Sequence, residues 1–399
     1  MLSIPWYFAR EGQLDLFIWF YIAINVVGLF WVPYSGVLID KYSRKTIFLS
    51  INLTCGLILG AVCVWGFQAE YLPFTAVAGI FIMTFLNYSI HYPCLYAFVQ
   101  EITVKEKYGF ITSILEVQGQ ATNIIAGAIA VLLLEGTTPE GIINILGFNF
   151  SLGMHIEAWK IYEIFTIDCL TYFVAFAIIL SIRYVSLKER EEENASLIER
   201  LKIGLNFLKQ NRTTTIFGIA SYMLFVGVMM EAFYLGAAYV KNHLNAGGDV
   251  YASSDIMYAF GAFISGFMIR KVFKGKSIPF SIINLFVVAG LLFFVLFATK
   301  SNNIFYLMLF FLGVSNAGSR ILRVMYLFKN VPNQVFGRAA SIFNICNIMV
   351  RIILLLIFTL PFFKADDHVI YGFLILSILM LISTIVLISN YKRFDLSKI

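Results

Sequence analysis

The stretch GVLIDKYSRKT, residues 36–46, lies between two long apolar runs and gathers Asp40, Lys41, Arg44 and Lys45 into six positions. Charges are scarce elsewhere, since only 13% of the 399 residues are charged and 60% are hydrophobic. A short basic segment between apolar runs is typical of a loop that joins two membrane-spanning helices. The acidic Asp40 is different, because an acid at the end of a helix needs a specific partner.

The apolar residues run in blocks of about 20 or more, and a block of that length spans the hydrocarbon core as a helix. The mean hydropathy of +0.84 is far above that of a soluble chain. Alternating ten-residue segments, typical of a membrane barrel, are not visible in the sequence. The sequence therefore predicts an all-α polytopic membrane protein. Its eleven predicted spans are 14–36, 46–67, 72–99, 109–134, 161–186, 214–239, 250–270, 277–299, 302–327, 337–363 and 368–391.

Residue types that carry enzyme chemistry form no recognisable pattern in this sequence. All five cysteines fall inside predicted spans without a CxxC pair, and the four histidines are scattered. Phosphate-binding glycine loops, nucleophile elbows and HExxH motifs are not found. We therefore expect no enzyme activity, no cofactor, no metal site and no nucleic-acid partner.

The basic residues predict the orientation of the chain. Of its 29 Lys and Arg, 21 fall in alternate segments on one side of the spans, and only five fall on the other side. Basic residues concentrate on the cytoplasmic side of membrane proteins. The loop at 36–46 and the C-terminus are therefore predicted to be cytoplasmic, in a cell membrane that the chain crosses many times.

The opening stretch has a counterpart later in the chain. GFMIRKVFKGK, residues 266–276, matches it at an offset of 230, and YGFITSI at 108–114 matches FGRAASI at 336–342 at an offset of 228. Two matches at nearly one offset, both at predicted helix junctions, indicate an internal duplication. Parallel repeats of this kind are typical of one large class of transporters.

GVLIDKYSRK resembles the loop signature of the major facilitator superfamily, G-x-L-a-D-r-x-G-r-k, through Gly36, Leu38, Asp40, Lys41, Arg44 and Lys45. Ser43 departs from it, since glycine is usual there. The resemblance implies two pseudo-symmetric helical halves, 1–186 and 214–399, joined by a cytoplasmic loop at 187–213. It also implies that Asp40 bonds toward the N-terminus of the family's eleventh helix.

Within that superfamily, the layout is most similar to the drug:proton antiporter-3 branch, which exports macrolides, siderophores and other amphiphiles. Ile167 and Asp168 support the resemblance. The run GQATNIIAGA departs from the branch, because Asn123 and Ile124 replace the Gly-Pro that antiporters often carry. Alignment on the loop signature makes 14–36 the family's second helix, so the sequence is expected to lack most of the first one.

Charged residues inside a span are functional candidates by default, because an unpaired charge in lipid is costly. Glu116, Gln120 and Asn123 recur at helical spacing and share one face of the span at 109–134. Arg320 lies at a similar depth, roughly 10 Å from the cytoplasmic end of its own span. The group is predicted to face a central cavity as a substrate or proton site, with a structural ion pair as the alternative.

Arg351 lies near the middle of its predicted span, with Asn347 one turn before it on the same face. Because a guanidinium keeps its charge in proteins, Arg351 must pair, hold an anionic group or face water. We expect both residues to face the cavity.

Weaker candidates are Asp168, read as a satisfied structural acid, and the pair Glu231 and Asp255, read either as a gate or as acids hydrated at the interface. Arg323 is expected to extend to the cytoplasm. The long segment at 136–160 is expected to form a short surface helix or a lid.

These observations predict a monomeric secondary transporter whose partners are a small-molecule substrate, protons and the lipid bilayer. The leading hypothesis is export of a small amphiphilic or toxic compound in exchange for protons, with Glu116 as the protonatable group. The alternatives are an importer of a small anionic nutrient, in which Arg320 and Arg351 hold the anion, and an inactive remnant that lacks the first helix.

Overall fold

The computed structural model describes residues 3–103, 108–184, 197–365 and 367–394, apart from the side chains of a few helical residues, Asp40 and Glu116 among them. Eleven helices in the described residues are long and apolar enough to span a membrane. The helices are α1 (Ser3–Arg10), α2 (Leu14–Lys41), α3 (Arg44–Ala69), α4 (Phe74–Ile102), α5 (Tyr108–Glu135), α6 (Ile161–Ser181), α7 (Leu197–Gln210), α8 (Arg212–Met230), α9 (Gly236–Ala238), α10 (Gly248–Val272), α11 (Ile278–Ala298), α12 (Asn302–Asn330), α13 (Asn333–Phe358) and α14 (Ile370–Ser389).

The all-α polytopic fold predicted from the sequence is confirmed, and the predicted bounds of the spans lie within five residues of the observed ones. The largest differences, five residues each, are at the ends of α2, α6 and α13; α6, for example, ends at Ser181 rather than at residue 186. The predicted central loop contains the helix α7. The segments Glu231–Leu235 and Tyr239–His243 are π-helical and continue α8 through α9 as one long span.

Residues 136–160 do not form the surface helix that was one of the two alternatives, and the other alternative, a lid, stays a prediction. Strands β1 (Ile142–Ile145) and β2 (Phe148–Ser151) pair antiparallel as a hairpin, so the prediction of a surface helix is wrong. Leu146 and Gly147 turn the chain with φ values of 57° and 82°, the left-handed backbone that a tight two-residue hairpin requires. The hairpin lies on α10, where the Leu146 amide donates to Ser253 Oγ at 3.0 Å.

Two ends of the helix bundle can be distinguished. We call the end that carries β1, β2 and α1 the hairpin end, and the opposite end, which carries α7, the α7 end. The most extensive helix contacts join α10 to α12 and to α5, α11 to α14, and α3 to α6. We call the spans from α2 to α6 the first group and those from α8 to α14 the second group. The two groups touch where α2 packs on α13 and where α5 packs on α10.

Candidate functional site

The basic residues of the opening stretch tie three helices together at the α7 end. Lys45 Nζ donates to the carbonyl oxygens of Leu180 at 2.9 Å and Ile182 at 2.6 Å, where α6 ends. A cation at these positions satisfies free carbonyl groups and the negative end of the helix dipole. Arg44, which is 9% exposed, lies 3.3 Å from Glu101 at the end of α4.

The departure of Ser43 from the loop signature has a local reason. Its side chain caps α3 by accepting from the Thr46 amide at 3.1 Å. Lys41 and Gly36 are both exposed near the C-terminal end of α2. A Cβ at Gly36 would meet no described atom within 4 Å. The Asp40 side chain is outside the described part of the structure, so its predicted bond toward the N-terminus of the family's eleventh helix stays a prediction.

The predicted polar face of α5 is only partly described. Gln120 is half-buried and Asn123 is exposed, whereas Gly127, one turn beyond Asn123, packs against Ile256 of α10. The prediction for Glu116, and with it the proposed pair with Arg320, falls outside the described side chains. Arg320 itself is half-buried on α12 and lies within electrostatic reach of Tyr258 on α10.

Arg351 lies in the interior of the bundle, between the two groups of spans. Its side chain is 6% exposed, and the guanidinium lies beside the Tyr21 hydroxyl of α2 and 5.9 Å from the centre of the Phe85 ring of α4. Asn347, one turn earlier on α13, is 1% exposed. In the described residues, neither Arg351 Nε nor Asn347 Nδ2 has a hydrogen-bond partner.

Two residues of α2 complete this buried polar group, and sequence reasoning missed both. The amide nitrogen of Asn25 donates to the Tyr21 carbonyl at 2.6 Å, while Asn25 Oδ1 has no partner among the described atoms. The Tyr21 hydroxyl donates to the Met229 carbonyl of α8 at 3.1 Å. Asn25 is a lone amide within an apolar span, and that was the signal available in the sequence. We call Tyr21, Asn25, Asn347 and Arg351 the central polar cluster.

The weaker candidates separate into three environments. Asp168 is half-buried on α6 and lies near Cys63 of α3, away from the central polar cluster. Glu231 is only 3% exposed, so hydration at the interface is wrong for this residue. Asp255 lies on α10 within electrostatic reach of Glu231. Arg323 does not extend to the surface: its guanidinium donates to the Ser221 carbonyl at 2.8 Å and lies over the Tyr222 ring.

Contacts at the hairpin end join α1 and α5 to α10. Glu135 at the end of α5 accepts from Trp6 Nε1 at 3.1 Å and from the Gly248 amide of α10 at 2.9 Å. The Trp6 ring stacks on Tyr251, with ring centroids 5.7 Å apart. These contacts are long-range in sequence, so no local pattern predicts them.

The eleven spans among the described residues, with a polar cluster enclosed between two groups of helices, are typical of a polytopic membrane protein of the transporter type. The chain belongs to the Major Facilitator Superfamily, whose family model matches residues 1–355. No curated protein is significantly similar to the chain in sequence.

Solved structures with the same fold include several transporters. A mutant of the nucleoside transporter NupG is 14% identical, with a TM-score of 0.67 over 98% of this chain and 94% of that one. A D-xylose-proton symporter is 11% identical, with a TM-score of 0.66 over 94% and 87% of the two chains. A bacterial homologue of the iron transporter ferroportin, in an outward-facing state, is 15% identical, with a TM-score of 0.59 over 98% and 96%. At such identities the likeness shows the fold alone.

Proposed function

We propose that this protein is a secondary transporter that moves a small molecule with an anionic or strongly hydrogen-bond-accepting group by alternating access. Arg351 is the observation that carries the proposal. Its cation is enclosed at the contact between α13 and α2, and no described carboxylate forms an ion pair with it. A buried guanidinium without a carboxylate partner is costly, and an acceptor on a ligand would satisfy it.

The neighbours of Arg351 support a binding role. Asn25 and Asn347 each hold one side-chain atom that is buried and without a described partner. Together they offer a donor and an acceptor beside the cation, which suits a polar ligand. The Phe85 and Tyr21 rings add apolar surface, and pockets for small molecules usually combine such surface with a few fixed polar groups.

Alternating access requires two halves that close at one end and then at the other. We take residues 1–186 and 214–399 as these halves and 187–213 as their connection, with the α7 end and the C-terminus on the cytoplasmic side. The hydrogen bonds of Glu135 with Trp6 and with the Gly248 amide at the hairpin end support a state that is shut toward the outside.

Proton-driven export of an amphiphile, as in the drug:proton antiporter-3 branch, is the second candidate. It is favoured by Tyr88 and Tyr92 on α4, which are 48% and 38% exposed and have ring centroids 4.8 Å apart. Adjacent exposed rings can bind a flat apolar compound. Glu116 and Arg320 belong to this candidate as its proton site.

Transport assays in a host that lacks its own exporters and uptake systems separate the two candidates. Cells are given radiolabelled nucleosides, sugar acids and phosphates in one arm, and macrolides, dyes and siderophores in the other, each with and without a protonophore. We expect accumulation of an anionic or polar compound that Arg351→Lys reduces at least tenfold, because lysine cannot reproduce the planar fork of arginine. Arg393→Lys, at an exposed site, is the matched control.

Protonophore-sensitive extrusion of an amphiphile that is insensitive to Arg351→Lys would favour the second candidate. If neither arm responds while the protein is present in the membrane, the proposal of transport is contradicted.

A further inference from the structure

The hairpin of β1 and β2 has one apolar face and one polar face. Directly paired residues of antiparallel strands place their side chains on the same face of the sheet. The pairs on one face are apolar, Ile143 with Phe150 and Ile145 with Phe148. The pair between them is Asn144 with Asn149, on the other face, where the Asn144 amide nitrogen donates to Asn149 Oδ1 at 3.0 Å. The hairpin is therefore amphipathic, although each strand has only four residues.

Only the β1 half of the apolar face is covered by the helices. Ile143 is buried together with Ala252 of α10, and Ile145 and two residues of α5 pack against this pair. Phe148 and Phe150 on β2 are 69% and 51% exposed. The β2 half of the apolar face thus extends beyond the helices, while it points in the same direction as the half that contacts them.

The hairpin docks on the side of α10 that faces away from the interior of the bundle. The Leu146 amide in the turn donates to Ser253 Oγ at 3.0 Å. Residues seven apart share one face of a helix, so Ser253 is on the same face as Phe260 and Phe267, which are both exposed. Tyr258, which is hydrogen-bonded to α12 inside the bundle, lies on the opposite side. The exposed apolar face of α10 is therefore the one that meets lipid.

Helix α12 indicates the same direction. A Cβ at Gly147 in the hairpin turn would lie 3.8 Å from Asn303 Oδ1. Asn303 shares a face of α12 with Leu307 and Phe311, and both of these side chains are exposed. Ser253 is the sixth residue of α10, about 8 Å along the axis from the first one. The turn of the hairpin therefore reaches below the end of α10 on the lipid-facing side of the bundle.

The composition of the hairpin suits the boundary between headgroups and acyl chains. Residues 141–154 contain no charged residue, although Glu140 and Glu157 lie on either side of them. Amphipathic segments at a membrane surface bury their apolar face about 5–10 Å into this boundary. The free backbone groups at the edges of two short strands remain hydrated there, whereas the hydrocarbon core would leave them unsatisfied.

We propose that the β2 half of the hairpin is a membrane anchor, in which Phe148 and Phe150 insert among the lipids of the leaflet at the hairpin end. The bilayer is the partner that fits this surface, because the two rings continue the lipid-facing sides of α10 and α12 and have no charge beside them. The anchor holds the hairpin over the groove between α5 and α10 and fixes the depth of these two helices in the leaflet.

Nitroxide labels on the full chain in liposomes measure the depth of the hairpin. The labelled variants are Phe148→Cys, Phe150→Cys and Asn149→Cys, and the last is the matched control because Asn149 is exposed on the polar face of the same strand. Phe260→Cys supplies the lipid reference, and Lys300→Cys, exposed at the same end, supplies the water reference. The unmodified chain, with its five native cysteines, gives the background signal.

Collisions of each label with oxygen, which concentrates among acyl chains, are compared with collisions with a polar nickel chelate, which stays in water. We expect the oxygen-to-nickel ratio at positions 148 and 150 to exceed that at 149 by about tenfold and to approach that of Phe260→Cys. A ratio at both positions equal to that of Lys300→Cys would place the rings in water and overturn the proposal. Protection from both reagents, or dipolar broadening between labels, would assign the surface to a second copy of this chain and also overturn it.

The second measurement uses the unmodified chain, so it does not depend on the fold of a variant. Phospholipids that carry a photoactivatable group near the glycerol backbone are irradiated in the same liposomes, and their adducts are located by mass spectrometry. We expect adducts within residues 148–154. Adducts confined to the membrane-spanning helices would contradict insertion of the hairpin. None of these readouts uses transport, so the proposed function can fail or stand independently of them.

Discussion

Asp367 and His243 form a side-chain contact that fastens the loop before α14 to the end of the long span that contains α8. His243 Nδ1 lies 2.6 Å from Asp367 Oδ1, and the other ring nitrogen lies 2.9 Å from the Thr299 carbonyl. The hydrogen bond from His243 holds the pKa of the Asp367 carboxyl below its usual range. The Asp367 side chain is 60% exposed, so solvent screens much of this interaction.

The lowered pKa of Asp367 fixes the sign of a pH effect. A carboxyl group whose pKa is lowered on folding stabilises the fold above the pKa of the unfolded chain, about 3.9, and this stabilisation is lost as the pH falls below that value. We therefore expect Asp367→Asn to lower the melting temperature of the detergent-solubilised protein by about 1–2 °C at pH 5.5, with a smaller difference at pH 3. Glu157→Gln should change the melting temperature at neither pH. A difference of equal size at both pH values would contradict this assignment.

Single polar residues also show where sequence reasoning reaches its limit. The sequence singled out Arg351 and Asn347 and predicted that both face the cavity, because a charge or an amide in an apolar span is conspicuous. Tyr21 went unnoticed, since tyrosine is common in membrane helices. Its role in the central polar cluster depends on which face of α2 meets α13, and that is decided by tertiary packing.

The contact between α10 and α12 depends on small residues. A Cβ added at Gly313 would collide with the Tyr258 carbonyl of α10, and one added at Gly261 would collide with the Phe310 carbonyl of α12. Small residues allow two membrane helices to approach closely, so van der Waals contact replaces the hydrophobic effect as their driving force.

Gly313→Ala should force α10 and α12 apart. We expect a loss of about 1–3 kcal/mol in the free energy of unfolding, the range usual for overpacked interiors. Thermal unfolding in detergent, followed by loss of the monodisperse peak in gel filtration, measures the change. Gly79→Ala on α4 is the matched control, because a Cβ there meets no described atom within 4 Å. Equal effects of the two substitutions would show that helix propensity, rather than close approach, is responsible.

The hairpin illustrates an element that composition did not reveal. The segment at 136–160 is apolar enough to indicate a surface helix, yet the left-handed Leu146 and Gly147 turn it into paired strands. The Asn144 side chain supports the turn by accepting from the Gly147 amide at 3.1 Å. Docking on α10 gives the hairpin a buried contact at Ile143, which isolated strands of four residues would not have.

On the scale of the whole molecule, the distribution of basic residues predicts that the α7 end is cytoplasmic. Lys274 is exposed at that end, and Lys300 is exposed at the hairpin end. An impermeant maleimide should label Lys300→Cys in intact cells, whereas Lys274→Cys should require permeabilised cells. The unmodified chain, whose five cysteines lie within helices, supplies the background. Labelling in the reverse order would invert the topology.

The amino-acid sequence by itself determined the class of protein, the number of spans, their bounds to within a few residues and the superfamily. These properties follow from how residues partition between lipid and water, which depends on composition along the chain rather than on distant contacts. Only the tertiary structure decided that Arg351 meets Tyr21, that Glu231 is buried, and that Glu135 bonds to Trp6 and to the Gly248 amide. Such contacts depend on helix rotation, on the π-helical turn at Glu231 and on the pairing of residues more than 100 positions apart, none of which a local pattern encodes.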